Sequence, residues 1–489
     1  MARDEAGSEH VDVLIVGAGI SGIDAAYRLK TRCKDRSWLI LEARERVGGT
    51  WDLFRYPGVR SDSDMFTLGF PFRPWPSDKG IVEGEAIRDY VEDTAREFGI
   101  FERIRFGHRV TSASWSSEDA RWTVETDNGR RFTCSFLFGC CGYYDYDAGY
   151  RPEWPGEANY RGRILHPQAW PEDLDYSGKS FAVIGSGATA VTLVPALAEK
   201  AAHVTMVQRS PSYIVSRPSR DGMARFLQRL LPARAAHGAI RWKNVLLSIF
   251  FYSRARRHPG KVSEWIKEQV RKELGPDYPV ERDFSPAYRP WDQRLCLVPD
   301  GDFFEAIRSG KVSVATGAVE RFTEHGLQLA TGEKVAADIV VTATGLVVKL
   351  LGGITVTVDG QQVNPTERLI YKGFMLQGVP NHFFTFGYTN ASWTLRSDLT
   401  ARTVCRLLNH MQARGETVCV PHPPAGMERH PLIDFSSGYV QRASAVLPSQ
   451  GDRDPWQVRQ NYIKDLAAMS FGRLDADLEF SRNGSAVRA

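Results

Sequence analysis

The 489-residue chain has no C-x-x-C pair, no run of 18 apolar residues and no large excess of charge. Each absence removes a class of protein. Its seven cysteines stand at 33, 134, 140, 141, 296, 405 and 419. That scatter argues against zinc ribbons, thioredoxin-type dithiols and a disulfide framework, and it suits a reducing cytosol. Without a long apolar run no transmembrane helix is expected. The nearest approach, Val245-Leu-Leu-Ser-Ile-Phe-Phe-Tyr252, is too short to span and is flanked by Arg241, Lys243, Arg254, Arg256 and Arg257. It reads as a helix packed within the protein, with one lying on a membrane surface as the other reading. Sixty-two basic against 58 acidic residues leave +4, which gives no argument for nucleic acid. Met1 to His10 is polar and acidic, without a signal-peptide core. The expectation is a cytoplasmic protein, at most weakly associated with a membrane, that uses no metal. Apolar residues at 43% and charged residues at 25% are ordinary globular values. The length allows roughly three domains.

What is present is a pattern of strands, glycine turns and helices. Val11-Asp-Val-Leu-Ile-Val16 reads as a buried parallel strand. It ends in Gly17-Ala-Gly19-Ile-Ser21-Gly22, a helical pattern follows through Leu29, and Ser37 to Glu42 is a second strand. Glycines at this spacing allow a tight turn, approach of a pyrophosphate to the backbone, and close helix–strand packing; an acid at the second strand's end accepts from ribose hydroxyls. Gly17, Gly19, Ser21, Gly22 and Glu42 are therefore expected at a dinucleotide. The pattern recurs in Ser180 to Ile184, Gly185-Ser186-Gly187-Ala188-Thr189-Ala190, a helix from Val191 to Lys200, and His203 to Val207. Here the second strand is followed by Gln208-Arg209-Ser210, with no acid. Arginine suits a ribose 2′-phosphate, which favours NADPH over NADH.

The fold expected is α/β, with two Rossmann-type dinucleotide-binding domains, for FAD and NADP, and a helical insertion. The FAD domain would comprise residues 1–150 and 346–489. The NADP domain would run from 151 to 345, with the Arg- and aromatic-rich stretch 215–290 as the insertion. Strands are expected at Lys311–Ala315 and Ala337–Ala343, and a helix at Ser397–Asn409. A flavin beside a nicotinamide implies an oxidoreductase. Three subclasses compete. A disulfide reductase would need a cysteine pair, and only vicinal Cys140-Cys141 offers one. An oxidase or redox sensor, and a monooxygenase, are the others.

Two segments discriminate. Tyr160-Arg-Gly162-Arg-Ile-Leu-His166-Pro-Gln-Ala-Trp170-Pro171 resembles the Baeyer–Villiger monooxygenase fingerprint F-x-G-x-x-x-H-x-x-x-W-P, with Tyr160 in place of Phe. Gly49-Thr-Trp51-Asp-Leu-Phe-Arg-Tyr56-Pro57-Gly58-Val-Arg-Ser-Asp62 matches a second family signature, G-x-W-x-x-x-x-[FY]-P-G-x-x-x-D. Arg55 to Met65, Trp291 to Pro299 and Gly387 to Leu395 resemble the family's ethionamide-activating branch.

The resemblance implies an NADPH- and O2-dependent enzyme that turns ketones into esters or lactones through a flavin C4a-peroxide, and that oxidises sulfides or thioamides. It implies that Arg294 donates to the peroxide and the adduct oxyanion, with Asp62 near the flavin and paired to it. The other reading of Asp62 is a helix cap. Thr50, Trp51, Asp52 and Leu53 would lie along the flavin, Arg60 and Ser61 near the nicotinamide, and Val110 at the adenine. Ala343-Thr-Gly345 would support the NADP domain. His166 and Trp170 would couple the cofactor domains, or else simply pack. Phe66, Tyr143, Tyr144, Trp291 and Trp393 are possible pocket walls, although aromatics are more often core. The partners expected are a small ketone or sulfur compound and O2. A heteroatom (N/S) flavin monooxygenase and a slow flavin redox sensor are the alternatives.

Overall fold

The computed structural model describes residues 9–293, 295–433 and 438–482. Arg294 lies outside the described residues. The chain opens with β1 (Glu9–Val16), α1 (Ile20–Arg32) and β2 (Trp38–Leu41), all largely buried. Two single-turn helices, α2 (Thr50–Leu53) and α3 (Met65–Leu68), precede α4 (Gly84–Glu97) and β3 (Ile104–Arg105). A meander follows: β4 (Val110–Ser116), β5 (Arg121–Thr126) and β6 (Arg131–Gly139). β6 pairs with β1 in parallel along its length and with β5 antiparallel at its start. It thereby joins the parallel layer to the meander. β7 (Tyr144–Gly149) then leaves the sheet.

The middle segment makes a second sheet from β8 (Arg163–Leu165), β9 (Ser180–Ile184), β10 (His203–Gln208), β13 (Val312–Thr316) and β17 (Ile339–Thr342). All five are parallel, in the order β13-β10-β9-β17-β8. Helix α5 (Ala188–Ala198) connects β9 to β10. Between β10 and β13 run β11 (Ile214–Arg217), α6 (Gly222–Leu230), α7 (Ala233–Arg257), α8 (Pro259–Leu274), α9 (Val280–Asp283), β12 (Cys296–Pro299) and α10 (Asp302–Arg308). β11 and β12 pair in parallel and clamp the base of the helical insertion. β14 (Val319–Thr323), β15 (Gly326–Leu329) and β16 (Lys334–Ala336) form an antiparallel ribbon beside the sheet.

The return crossing is made by β18 (Leu346–Val348), which pairs antiparallel with β7. Both passages between the sheets therefore lie in one two-stranded ribbon. β19 (Thr355–Val358) and β20 (Gln361–Gln362) extend the first sheet beyond β4, and β21 (His382–Phe384) pairs in parallel with the end of β6. The last long helix, α11 (Trp393–Arg414), packs on α1. It runs a turn beyond the expected span at each end. Trp393 and Leu395 join the packing at its start, and Gly415, at φ +66°, ends it. Val13 and Ile15 of β1 face α1 and α11, while Leu14 and Val16 face the core that holds Trp115 and Trp122 of the meander. This double burial explains the nearly unbroken apolar sequence of β1. Among the described residues, no helix is long and apolar enough to cross a membrane, and no cluster of His, Cys, Asp or Glu is placed to hold a metal.

Candidate functional site

The first glycine turn sits at the β1–α1 junction, and its glycines differ in what requires them. Gly17 has φ +105°, and a Cβ there would stand 2.7 Å from the Cys140 carbonyl oxygen. A Cβ on Gly22 would stand 1.8 Å from the Gly17 carbonyl oxygen. The protein itself excludes side chains at both. Gly19 has φ −76° and ψ −172°, open to any residue, and its Cβ would make only ordinary contact, 3.5 Å from Gly49 Cα. No protein atom requires glycine there. It caps α1 without a side-chain acceptor, so the helix's first N–H groups face the cavity beside it. A cradle that a Cβ would narrow, at a helix N-terminus, fits a dinucleotide pyrophosphate.

That cavity, about 340 Å³, runs from Gly17 and Glu42 past Val110 and Trp51 to Asp62 and Trp393. Glu42 is buried and accepts from the Ala18 N–H at 2.6 Å and the Arg44 N–H at 2.9 Å. Burial still raises its pKa above the ordinary carboxylate value, against the pull of those two donors. It thus fixes the turn, with lone pairs remaining for a ribose.

Of the other residues expected at the flavin, Ser21, Thr50, Trp51, Asp62 and Val110 line this cavity, and so does Ser61, expected near the nicotinamide. Asp64, not Asp62, caps α3, accepting from the Thr67 N–H at 3.0 Å. Asp52 turns away. It is 2% exposed and bound by Arg44 and Arg55 at 2.6 and 2.9 Å, an ion-paired brace under α2. Leu53 beside it is also outside the cavity lining. Arg60 reaches Asp302 at the start of α10, at 2.5 Å, and so ties the first segment to the second sheet. Tyr143, Tyr144 and Trp393 do form cavity wall; Trp393 donates to Ser21 Oγ at 2.7 Å and stacks on Tyr143 at 5.2 Å. Phe66 is instead core, packed with Ala224, Ala236 and Ile240, and Trp291 packs on Tyr252. Sequence reasoning missed Tyr146, Lys349 and Tyr388, which also line the cavity. They come from β7 and from two separate loops, and share no spacing. Tyr146 meets Thr50 Oγ1 at 3.2 Å, and Lys349 pairs with Asp145 at 2.9 Å.

The seven cysteines are free thiols. Burial pushes Cys141 up to about 12 and Cys140 well above its usual value, so neither is poised as a thiolate.

The second turn repeats the logic of the first. Gly185 has φ +137°, and a Cβ would stand 2.3 Å from the Ala343 carbonyl oxygen, which gives Ala343-Thr-Gly345 its place against the turn. Gly187 has nothing within 4 Å of a built Cβ, and it caps α5 without a side-chain acceptor. Gly187 and Ala188 are exposed, Thr189 is half-buried, and Ala190 is buried where α5 meets the sheet. Ser186 Oγ bonds Ser212 Oγ at 2.8 Å. Arg209 is exposed at the end of β10 and makes no ion pair among the described residues. Gln208, expected beside it, is buried; its amide donates to the Asp283 carbonyl and Thr316 Oγ1 at 2.8 and 2.9 Å. It bolts α9 to β13 rather than facing the turn.

The fingerprint segment lies across the crossing ribbon. The Tyr160 hydroxyl donates to the Ala337 carbonyl at 2.9 Å, so the Tyr-for-Phe departure finds a partner. A Cβ on Gly162 would stand 2.3 Å from the Asp338 carbonyl oxygen. The His166 ring lies against Gly149 of β7, where a Cβ would stand 1.8 Å from it, and its Nδ1 accepts from the Gln168 N–H at 3.2 Å. Burial lowers its pKa. Trp170 packs in the second sheet's core together with Tyr56. Gly58 is pressed onto α5: a Cβ would stand 2.5 Å from the Thr192 carbonyl oxygen.

A second cavity of about 430 Å³ lies between α7 and residues 457–464, and shares Ala391 with the first.

A profile of the flavin-binding monooxygenase-like family matches residues 10–351. The chain is 52% identical over 486 residues to the FAD-containing monooxygenase EthA of Mycobacterium tuberculosis (strain ATCC 25618 / H37Rv), covering 98% of this chain and 99% of that one. It is 48% identical over 469 residues to the putative FAD-containing monooxygenase MymA of the same organism, covering 94% of each. Among solved structures, an oxidized steroid monooxygenase bound to NADP superposes with a TM-score of 0.76 at 22% identity, covering 97% of this chain and 100% of the other. Cyclohexanone monooxygenase from Rhodococcus sp. Phi1 bound to NADP+ also gives 0.76, at 19% identity and the same coverage.

Proposed function

The chain belongs to the flavin-binding monooxygenase-like family, and from that premise we propose that it is an FAD-dependent Baeyer–Villiger monooxygenase. It consumes NADPH and O2, converts ketones to esters or lactones, and oxidises sulfides or thioamides. The balance is ketone + NADPH + H+ + O2 to ester + NADP+ + H2O. The observation that carries this reading is the pair of glycine turns, each with a middle glycine no protein atom requires, joined through a segment of Baeyer–Villiger type.

A flavin held there would supply the oxygen-activating chemistry, with a nicotinamide as its reductant. The chain's own residues bind, orient and shield. Residues 1–150 and 346–489 hold FAD: the N-terminus of α1 with Gly17, Gly19 and Gly22 takes the pyrophosphate, Glu42 accepts from the ribose, and the Val110 backbone meets the adenine. Residues 151–345 hold NADPH: the α5 N-terminus with Gly185, Gly187 and Ala190 takes its pyrophosphate, and Arg209 its 2′-phosphate. Trp51, Tyr143 and Trp393 exclude water from the reacting end. Arg294, which stays charged at any working pH, donates to the developing oxyanion, and Asp62 orients it.

The test uses purified FAD-loaded protein, NADPH, isotopically labelled O2 and a panel of ketones and sulfides. One labelled oxygen in an ester, with NADPH consumed in step, supports the reading. Sulfoxide alone moves the chain to heteroatom oxidation, and hydrogen peroxide alone to an oxidase or sensor. Arg294→Ala is expected to lower ester formation by about 10²–10³.

A further inference from the structure

The second cavity, about 430 Å³, has the size of a small-molecule site, and no residue proposed to hold FAD or NADPH lines it. Its two walls differ in chemistry. α7 supplies Val245, Ile249 and Tyr252, with Ser248 and Ser253. Residues 457–464 supply the amides of Gln457, Gln460 and Asn461 and the cations Arg459 and Lys464. No Asp or Glu stands among the described lining residues.

The amides of Gln460 and Asn461 are each held in one orientation. Gln460 Oε1 accepts from the Thr389 N–H at 3.0 Å and from its hydroxyl at 3.1 Å. Asn461 Oδ1 caps the C-terminal helix Tyr462–Phe471, accepting from the Lys464 N–H at 3.1 Å. Each oxygen is spent on a backbone donor, so each amide presents its NH2 group. Neither NH2 group, nor the exposed Lys464 ammonium, has a partner among the described residues. The other polar groups of this wall are engaged: Arg459 pairs with Asp454, and Gln450 bonds the Val458 N–H and the Pro431 carbonyl at 2.8 Å each. What remains is a set of donors without an acceptor, which suits a carboxylate and no cation.

The opposite end of this cavity meets the flavin cavity. Ala391 is the one described residue that lines both. Around it Val245, Tyr388 and Leu395 pack with Ile249 and Tyr462 into an apolar partition. A molecule that reaches from one cavity into the other passes the smallest side chain of that partition, in hydrocarbon surroundings.

We infer that the substrate is an aliphatic oxo-carboxylic acid. Its carbonyl lies in the flavin cavity, its methylene chain passes Ala391, and Gln460, Asn461 and Lys464 bind its carboxylate in the second cavity. The carbonyl end rests on the oxygenation proposed above and follows the balance given there, with the carboxylate unchanged by the reaction. The carboxylate end rests on the second cavity alone.

The test uses the FAD-loaded full chain and methyl-ketone acids CH3–CO–(CH2)n–COO−, with n from about 3 to 9, beside their methyl esters. In calorimetric titrations of the oxidised protein without NADPH, the best acid is expected to bind at least about ten-fold more tightly than its methyl ester. Asn461→Asp keeps a helix-capping oxygen and puts an anion where the NH2 donor stood. It is expected to weaken the acid by at least about ten-fold, and Lys464→Gln by about three-fold, with the methyl ester shifted less than about two-fold by either. In turnover, Ala391→Leu is expected to lower kcat/KM for the acid relative to that for butanone by at least about ten-fold. Equal binding of acid and methyl ester, or equal shifts of both in Asn461→Asp, overturns the carboxylate site. A wild-type ratio in Ala391→Leu overturns the passage. Acid binding that Asn461→Asp weakens, with oxygen inserted into no ketone, overturns the oxygenation reading and the substrate assignment with it, and leaves the carboxylate site standing.

Discussion

Replacing Gly187 by alanine is expected to leave the fold intact and to weaken NADPH binding. The position has φ −84° and ψ −173°, which alanine adopts freely, and a built Cβ meets nothing within 4 Å. Stability should change by no more than about 0.5 kcal/mol. A methyl group there stands in front of the first N–H groups of α5 and holds a pyrophosphate off them. Loss of one charge-assisted hydrogen bond costs about 1.5–3 kcal/mol, or about 10- to 150-fold in affinity. Gly185→Ala is the contrast. With φ +137° and a Cβ 2.3 Å from the Ala343 carbonyl oxygen, it must move backbone, at about 2–4 kcal/mol of stability. The assay pairs thermal unfolding with NADP+ titration and the KM for NADPH on FAD-loaded protein. Gly187→Ala should raise Kd and KM at an unchanged Tm, and Gly185→Ala should lower Tm first. A Gly187→Ala protein that binds NADP+ like wild type refutes the ligand explanation of this glycine.

The same reasoning applied to Gly19 predicts that Gly19→Ala folds but retains FAD poorly, read as the ratio of flavin to protein absorbance after gel filtration. Tyr160→Phe removes the bond to the Ala337 carbonyl at 2.9 Å and should cost about 1 kcal/mol in denaturant unfolding with turnover unchanged; a large loss of turnover would give the hydroxyl a role beyond packing. The pH prediction rests on His237 and His382, which burial depresses to about 4. Below about pH 6.5 the unfolded chain takes up protons that the folded chain refuses. Stability therefore falls as pH drops from about 6.5 to about 4, by up to about 1.4 kcal/mol per pH unit for each histidine. His382→Phe should flatten that slope in urea titrations, and an unaltered slope counts against the assignment.

Much of the site was legible because its residues are bound by local geometry. Gly22 is required by the Gly17 carbonyl of its own turn, Gly17 and Gly185 take φ of +105° and +137° at theirs, and Glu42 directly follows the next strand. These relations survive as fixed spacing. Tyr146, Lys349 and Tyr388 reach the same cavity from β7 and from loops far along the chain, and only the three-dimensional path of the backbone brings them together. Asp52 and Gln208 misled for the opposite reason. Each stands one position from a cavity or exposed residue, yet its side chain is buried among Arg44 and Arg55, or against Asp283 and Thr316. Adjacency in sequence does not fix the direction of a side chain at the end of a helix or strand.

The two family-like segments have a common physical basis that their spacing alone does not reveal. Each is a contact between the two sheets. Tyr56 enters the second sheet's core, and Gly58 leaves no room for a Cβ against Thr192 on α5. Arg60 extends the same contact to Asp302. His166 sits on Gly149 of the crossing ribbon, and Gln168 donates to the Asp145 carbonyl at 2.9 Å. Neither histidine nor tryptophan of the fingerprint is among the cavity's lining residues. A flavin and a nicotinamide exchange hydride only when their rings meet, so the relative placement of the two sheets is part of the chemistry. Residues that hold that placement are then as constrained as residues that touch a cofactor. Under the proposed function, the linker segment would act on that placement, with its histidine fitted to Gly149 and standing outside the cavity rather than serving as a general base.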